Sequence, residues 1–113
     1  MEPVYVVRVI RFPKSDFSRI YGDLVAFMHD SANSIVGCRD MHLYAGDTHT
    51  EILILAEFAS RHQWAQAQWD RRLGYLLEEI VSDTETVYFG LCDGHAHVAA
   101  PRDRAVAAPG AAS

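Results

Sequence analysis

The chain has 113 residues, half of them hydrophobic, and a formal net charge of −5. That length accommodates one domain with a single modest core, and nine scattered arginines with one lysine argue against nucleic-acid binding, which needs clustered basic side chains. No stretch approaches the roughly 20 apolar residues that span a bilayer, and the N-terminus lacks the pattern of a secretion signal, so the sequence predicts a cytoplasmic protein without membrane contact.

The first strand and the first helix are predicted before Gly37. Residues 4–12 are rich in Val, Ile and aromatic side chains, and Pro13 ends the strand because proline cannot donate a ladder hydrogen bond. Ser15 or Asp16 then caps a helix that ends before Gly37. The apolar residues of this helix recur at intervals of three and four and form one stripe: Phe17, Ile20, Tyr21, Leu24, Met28 and Ile35.

A hairpin of two strands is predicted next. Residues 38–45 alternate moderately between polar and apolar side chains and end at the turn signal Gly46-Asp47. Five of the eight residues from 51 to 58 are Ile, Leu or Phe. Such a nearly continuous apolar strand is typical of the centre of a sheet that is covered on both faces.

The second helix is predicted from Ser60 to about residue 81. On a continuous helix Trp64 and Tyr75 would face away from the main apolar stripe. Gly74 indicates a kink or break, which would turn Trp64 inward. The stripe itself consists of Trp69, Leu73, Leu76 and Ile80.

Strand four is predicted at residues 84–92, and the Ala- and Pro-rich residues 95–113 are expected to form a flexible tail. The order β-α-β-β-α-β, with right-handed crossovers, predicts one ferredoxin-like α+β domain over residues 1–94. Its antiparallel sheet has the order 4-1-3-2, with two helices on one face. The other face is too apolar for water, so a homodimer is expected.

The join between strand three and helix two carries a family resemblance. Strand three ends in Glu57-Phe58, and Ser60 and Trp64 follow. This pattern resembles the dimeric α+β barrel superfamily, in particular its antibiotic-biosynthesis-monooxygenase type, over about residues 4–92. The resemblance implies that two sheets close into a barrel, that each subunit has a pocket between sheet and helices, and that Cys38 and Cys92 lie on opposite edge strands as free thiols.

Members of this superfamily include cofactor-free oxygenases of aromatic polyketides, polyketide cyclases, haem-degrading enzymes and proteins of no known activity. The haem-degrading members resemble one another in a Trp and a haem-ligating His on helix two. The corresponding positions here are close to Ala67 and Leu77, and neither matches. The resemblance therefore implies chemistry that uses no cofactor.

Two histidines are candidates for acid–base chemistry. His42 shares one side of its strand with Asp40 and Tyr44. If that side faces the pocket, His42 could take a phenolic proton while Asp40 fixes its tautomer; otherwise the side is a solvated edge. His29 and Asn33, one turn apart, either line a cavity or form the boundary of an amphipathic helix.

Arg8 shares its strand face with apolar residues, so its guanidinium needs a partner. Glu57 on the neighbouring strand is the expected partner, and a substrate carbonyl or phenolate is the alternative. Trp64 and Trp69 are predicted pocket walls for an aromatic substrate, with Tyr44 and Tyr88 as further contacts. No metal site is predicted, because His95 and His97 lack a carboxylate cluster.

These features favour a homodimeric tailoring enzyme of aromatic polyketide metabolism that oxidises its substrate with molecular oxygen. His42 or His29 would deprotonate the substrate, and Arg8 would stabilise the resulting anion. Two alternatives remain open from the sequence. One is an aldol-type polyketide cyclase that uses the same pocket, and the other is a ligand-binding accessory protein without catalytic activity.

Overall fold

The structure, a computed structural model, describes residues 2–93 of the chain. The predicted tail, with His95 and His97, lies outside these residues. In chain order the elements are β1 (Val4–Arg11), a 3-10 turn (Lys14–Asp16), α1 (Phe17–Asp30), a 3-10 turn (Ala32–Ser34), β2 (Cys38–Ala45), β3 (Glu51–Phe58), α2 (Arg61–Ala67), α3 (Arg71–Tyr75), a π-helical segment (Leu76–Ile80) and β4 (Glu85–Cys92). The strands pair antiparallel in the order β2-β3-β1-β4, with the helices on one face, which confirms the ferredoxin-like α+β fold.

The core lies between one face of the sheet and the helices. Val4 and Ile10 of β1 are fully buried opposite Phe58 and Ile52 of β3, because alternate strand residues share a face. Each Ile, Leu or Phe side chain that is fully buried contributes roughly 1.5–3 kcal/mol to stability. The buried helical residues that cover this face are Ile20, Leu24, Phe27, Leu76 and Ile80.

The opposite face of the sheet is also apolar at its centre. Val7 and Val9 of β1 pair with Leu55 and Leu53 of β3, and all four side chains are half-buried. We call this surface the open face, because no helix of residues 2–93 packs on it. The predicted apolar second face is therefore present.

The first helix is shorter than its apolar stripe predicted. It ends at Asp30, and Ser31 leaves the helical conformation with φ −132° and ψ −34°. The 3-10 turn that follows still brings Ile35 into the core. Ser and Asn side chains compete with helical hydrogen bonds, which explains why the segment from 31 to 34 does not continue the helix.

The second helix is broken, as predicted, but the break lies at residues 68–70 and not at Gly74. Asp70 is extended, with φ −76° and ψ 131°, and its carboxylate accepts a 2.8 Å hydrogen bond from the backbone nitrogen of Arg72. An acidic N-cap begins a new helix in this way. Gly74 lies within α3, and no neighbouring atom comes near the position of a Cβ there.

We expect Gly37→Ala to destabilise the fold by about 1–3 kcal/mol. Gly37 has φ +86°, and a Cβ at this position would collide with the side chain of Gln63. The matched control is Gly22→Ala in α1, where a Cβ meets nothing within 4 Å. That change should stabilise by about 0.5–1 kcal/mol, because alanine favours a helix interior. Urea denaturation measures both, and unchanged stability of Gly37→Ala would contradict the argument.

Candidate functional site

A largely apolar cavity of about 90 Å³ lies between the core face of the sheet and the second helical region. An apolar cavity of roughly 150 Å³ encloses a benzene ring, so an aromatic ligand here would keep one edge at the cavity mouth. Phe89 on β4 lines the cavity and is nonetheless 45% exposed, which places the open side at this edge strand.

Trp64 forms one wall of the cavity because of how α2 begins. The buried hydroxyl of Ser60 accepts a 3.1 Å hydrogen bond from the backbone nitrogen of Gln63, which fixes the start of the helix. One turn later the indole of Trp64 packs edge-on against Phe58, with ring centroids 5.1 Å apart. The helix break after Ala67 lets Leu73 of α3 face the same cavity.

Arg8 brings a charged group to the cavity. Its Nη1 donates a 3.0 Å hydrogen bond to the hydroxyl of Thr86, and its Cζ lies 4.7 Å from the ring centroid of Phe89. Burial lowers the pKa of the Arg8 guanidinium, but arginine remains protonated in proteins. A cation therefore lies over the face of an aromatic ring at the cavity.

The predicted pairing of Arg8 with Glu57 is wrong. Glu57 lies opposite Tyr5 in the β1–β3 pair and so points to the open face, where its carboxylate is 3.4 Å from Arg39. Arg8 forms no ion pair with any carboxylate of residues 2–93. Its charge is thus available to a ligand.

Cys38 and Gln68 are the other polar side chains that line the cavity. Burial raises the pKa of the Cys38 thiol, which therefore stays neutral near pH 7. Gln68 donates a 3.3 Å hydrogen bond from its side-chain nitrogen to the backbone oxygen of Trp64. Among the described lining residues there is no histidine and no carboxylate.

His42, Asp40 and Tyr44 lie together but outside the cavity. The Nε2 of His42 is 2.9 Å from a carboxylate oxygen of Asp40, as the predicted pairing requires. The register of β2 places His42 opposite Leu55, on the open face, while Met41 lines the cavity. Of the two alternatives for this side of β2, the structure therefore favours the one outside the pocket.

The remaining predicted site residues are also outside the cavity. Tyr88 pairs with Val9 and lies on the open face, where it is 51% exposed. His29 and Asn33 are exposed at the end of the first helical region. Trp69 is 88% exposed in the α2–α3 break, so its predicted place on the inward stripe is wrong. Of the nine predicted residues, Arg8 and Trp64 line the cavity.

The sequence interpretation missed Thr86 and Phe89, which contact Arg8 from β4. Both face the same side of this strand although they are three positions apart. A two-residue strand period places such residues on opposite faces. The sequence carries no signal for the irregularity that aligns them.

Within residues 2–93 no three His, Cys, Asp or Glu side chains are grouped so that they could hold a metal ion. In the same part of the chain, no helix has the length and apolar character needed to cross a membrane.

Comparison with known proteins identifies the fold. No protein-family model matches the chain, and no curated protein sequence matches it. Several solved structures do. Rv0793 from Mycobacterium tuberculosis has a TM-score of 0.70 at 14% identity, with 86% of this chain and 99% of that chain covered.

Two other similar structures have functional descriptions. A putative antibiotic biosynthesis monooxygenase from Bacteroides thetaiotaomicron has a TM-score of 0.67 at 12% identity, with 86% of this chain and 91% of that chain covered. SnoaB, a cofactor-independent oxygenase from Streptomyces nogalater, has a TM-score of 0.64 at 13% identity, with 87% and 98% covered. The resemblance to antibiotic-biosynthesis-monooxygenase-like proteins is thus confirmed at the level of the fold.

We expect the thiol of Cys38 to react slowly with iodoacetamide at pH 8. The raised pKa of this half-buried thiol leaves little thiolate at that pH, and the thiolate fraction grows as the pH rises through the elevated pKa. A Cys92→Ser variant isolates Cys38, and mass spectrometry follows its alkylation from pH 7 to 10. The same variant unfolded in guanidinium is the control; equal rates in both states at pH 8 would contradict the burial of Cys38.

Proposed function

We propose that this protein is a homodimeric enzyme that oxygenates an aromatic, polyketide-type substrate with molecular oxygen and without a cofactor. The observation that carries the proposal is the Arg8 guanidinium, which forms no ion pair with a carboxylate of residues 2–93 and lines an apolar cavity together with Trp64, Phe58 and Phe89. The fold shared with SnoaB, described as a cofactor-independent oxygenase, supports it.

The cavity suits a substrate that binds as an anion. A cation favours the charged form of a phenol or enol beside it, and the half-buried position of Arg8 strengthens that attraction relative to water. Because the described lining residues include no histidine or carboxylate, the substrate's own acidity and solvent at the mouth account for loss of the proton. In this proposal neither His42 nor His29, the bases that the sequence suggested, removes the proton.

The proposed reaction converts an activated methylene of the substrate to a carbonyl. The bound anion transfers one electron to oxygen, and the resulting carbon radical and superoxide combine to form a carbon–oxygen bond. The peroxide is protonated and then loses water, so that one oxygen atom remains in the product and the other leaves as water. Arg8 stabilises the negative charge throughout, and the apolar walls hold the part of the ring system that enters the cavity and exclude water from it.

We expect Arg8→Met to lower kcat/KM for a hydroxyanthrone by about 10²–10³-fold, the usual cost of removing one group that stabilises a developing oxyanion. Arg19→Met is the matched control, because Arg19 is exposed on α1 and 3.7 Å from Asp16, away from the cavity. Oxygen consumption and product mass are measured in parallel. Turnover that continues without oxygen, or a product that has only lost water, would contradict the oxygenase and indicate a cyclase.

The open face is proposed to bind a second copy of the chain, so that two sheets close into a barrel. Val7, Val9, Leu53 and Leu55 form its apolar centre. Leu55→Asp should therefore convert a dimer to a monomer, because it places an unpaired charge in the interface.

Light scattering after size exclusion measures this change against the 12.7 kDa mass of one chain. Val36→Asp is the control, since Val36 is 66% exposed and lies before β2, outside the open face. A wild-type protein that is monomeric at micromolar concentration would contradict the proposed dimer.

A further inference from the structure

Edge strand β4 contains a bulge beside Arg8. Val9 of β1 pairs with Tyr88, but the next residue, Ile10, pairs with Thr86, so Val87 has no partner in the ladder. An extra residue of this kind reverses the alternation of side chains beyond it. As a result Thr86 faces the core side of the sheet together with Phe89.

The bulge allows two β4 side chains to hold one guanidinium. Thr86 accepts the hydrogen bond from Nη1 of Arg8 at 3.0 Å, and the ring of Phe89 lies 4.7 Å from Cζ. The hydroxyl restrains the guanidinium through a hydrogen bond, and the ring adds a cation–π contact. In a regular strand only one of these two residues could face Arg8.

The hydrogen bond to Thr86 leaves one edge of the guanidinium without a partner. Within residues 2–93, neither Nε nor Nη2 of Arg8 has a hydrogen bond or an ion pair. These two nitrogens form the planar fork that binds both oxygens of a carboxylate through two parallel hydrogen bonds. Such an edge can pair with two coplanar anionic oxygens, as an ammonium group cannot.

We propose that the cavity binds an aromatic carboxylate, with the carboxylate on the Nε–Nη2 edge of Arg8 and the ring against Trp64 and Phe58. The bulge at Val87 is the element that builds this site. The inference rests on the proposed function for its use of the same cavity and deepens it by adding a carboxylate to the substrate, as an anchoring group beside the phenol or enol that reacts. Binding itself needs neither oxygen nor turnover.

Isothermal titration calorimetry of the full chain under nitrogen tests the proposal with 2-naphthoate and its neutral analogue, 2-naphthalenemethanol. The wild-type protein should bind the carboxylate at least about tenfold more tightly than the alcohol. Arg8→Met should abolish this preference and leave the alcohol's affinity within about twofold. Arg8→Lys should keep only part of the preference, because an ammonium group cannot form the bidentate pair.

Thr86 and Phe89 are tested as positioning residues. Thr86→Val and Phe89→Leu should each reduce the ratio of the two affinities by about three- to tenfold, consistent with the loss of one hydrogen bond or one cation–π contact. Thr48→Val is the control, because Thr48 bonds Thr50 in the β2–β3 turn and is exposed. Deletion of Val87 should also remove the preference; if that variant does not fold, the two substitutions decide the role of the bulge.

Equal binding of the two ligands by the wild-type protein, or a preference that survives Arg8→Met, would overturn the carboxylate site. A preference that is undiminished in both Thr86→Val and Phe89→Leu would overturn the role of the bulge. These outcomes are separable from the oxygenase. If the protein binds the carboxylate but shows no oxygen-dependent turnover, the carboxylate site stands and the proposed oxygenase function is wrong. If it turns over neutral substrates with oxygen and does not prefer the carboxylate, the oxygenase function stands and the carboxylate site is wrong.

Discussion

Arg8 lies opposite Ile54 in the β1–β3 pair, on the face of the sheet that the helices cover. The pairing of these two central strands assigns each of their side chains to the core or to the open face, since a shift by one residue would exchange the two sets. In the observed register, apolar side-chain pairs from β1 and β3 lie on both faces of the sheet. Arg8 is the one charged residue of β1 on the helix-covered face, and its side chain lines the cavity. The cavity, the half-buried Arg8 cation and the uncovered apolar surface all depend on this register.

The break in the second helical region determines the shape of the cavity. A continuous helix from Ser60 to residue 81 would turn Trp64 away from the stripe that contains Leu73 and Leu76. Asp70 instead begins a new helix, and the resulting rotation directs Trp64 and Leu73 to the same space. A π-helical segment follows, an irregularity that is often found at functional sites, and two of its leucines, Leu76 and Leu77, line the cavity.

The electrostatic character of the cavity limits its chemistry. It combines a guanidinium with aromatic and aliphatic walls, and its thiol is kept neutral by a raised pKa. A site of this kind stabilises an anion more strongly than it removes a proton. An acidic substrate that carries its own charge therefore matches the site better than a neutral one that requires a strong base.

The sequence by itself determined the elements and their order. Hydrophobic periodicity, together with the element ends marked by Pro13, Gly37 and Ser60, was sufficient to predict four strands, the ferredoxin-like topology and the strand order. These signals are local and act over a few residues. The same local patterns also identified Arg8 as a buried charge that needs a partner, and Trp64 as an inward residue if the helix is broken.

Only the tertiary structure decided what those residues contact. The partner of Arg8 is Thr86 and not Glu57, because a one-residue bulge in β4 and the β1–β3 register act together across 78 positions of sequence. His42 and Asp40 do pair, as the sequence suggested. Which face of the sheet they lie on depends on the hydrogen bonds between β2 and β3, and the residue pattern of β2 alone does not predict those. Side chains alternate between the two faces of a strand with a period of two. One extra residue in a strand, such as a bulge, therefore moves the side chains beyond it from the cavity face to the opposite face.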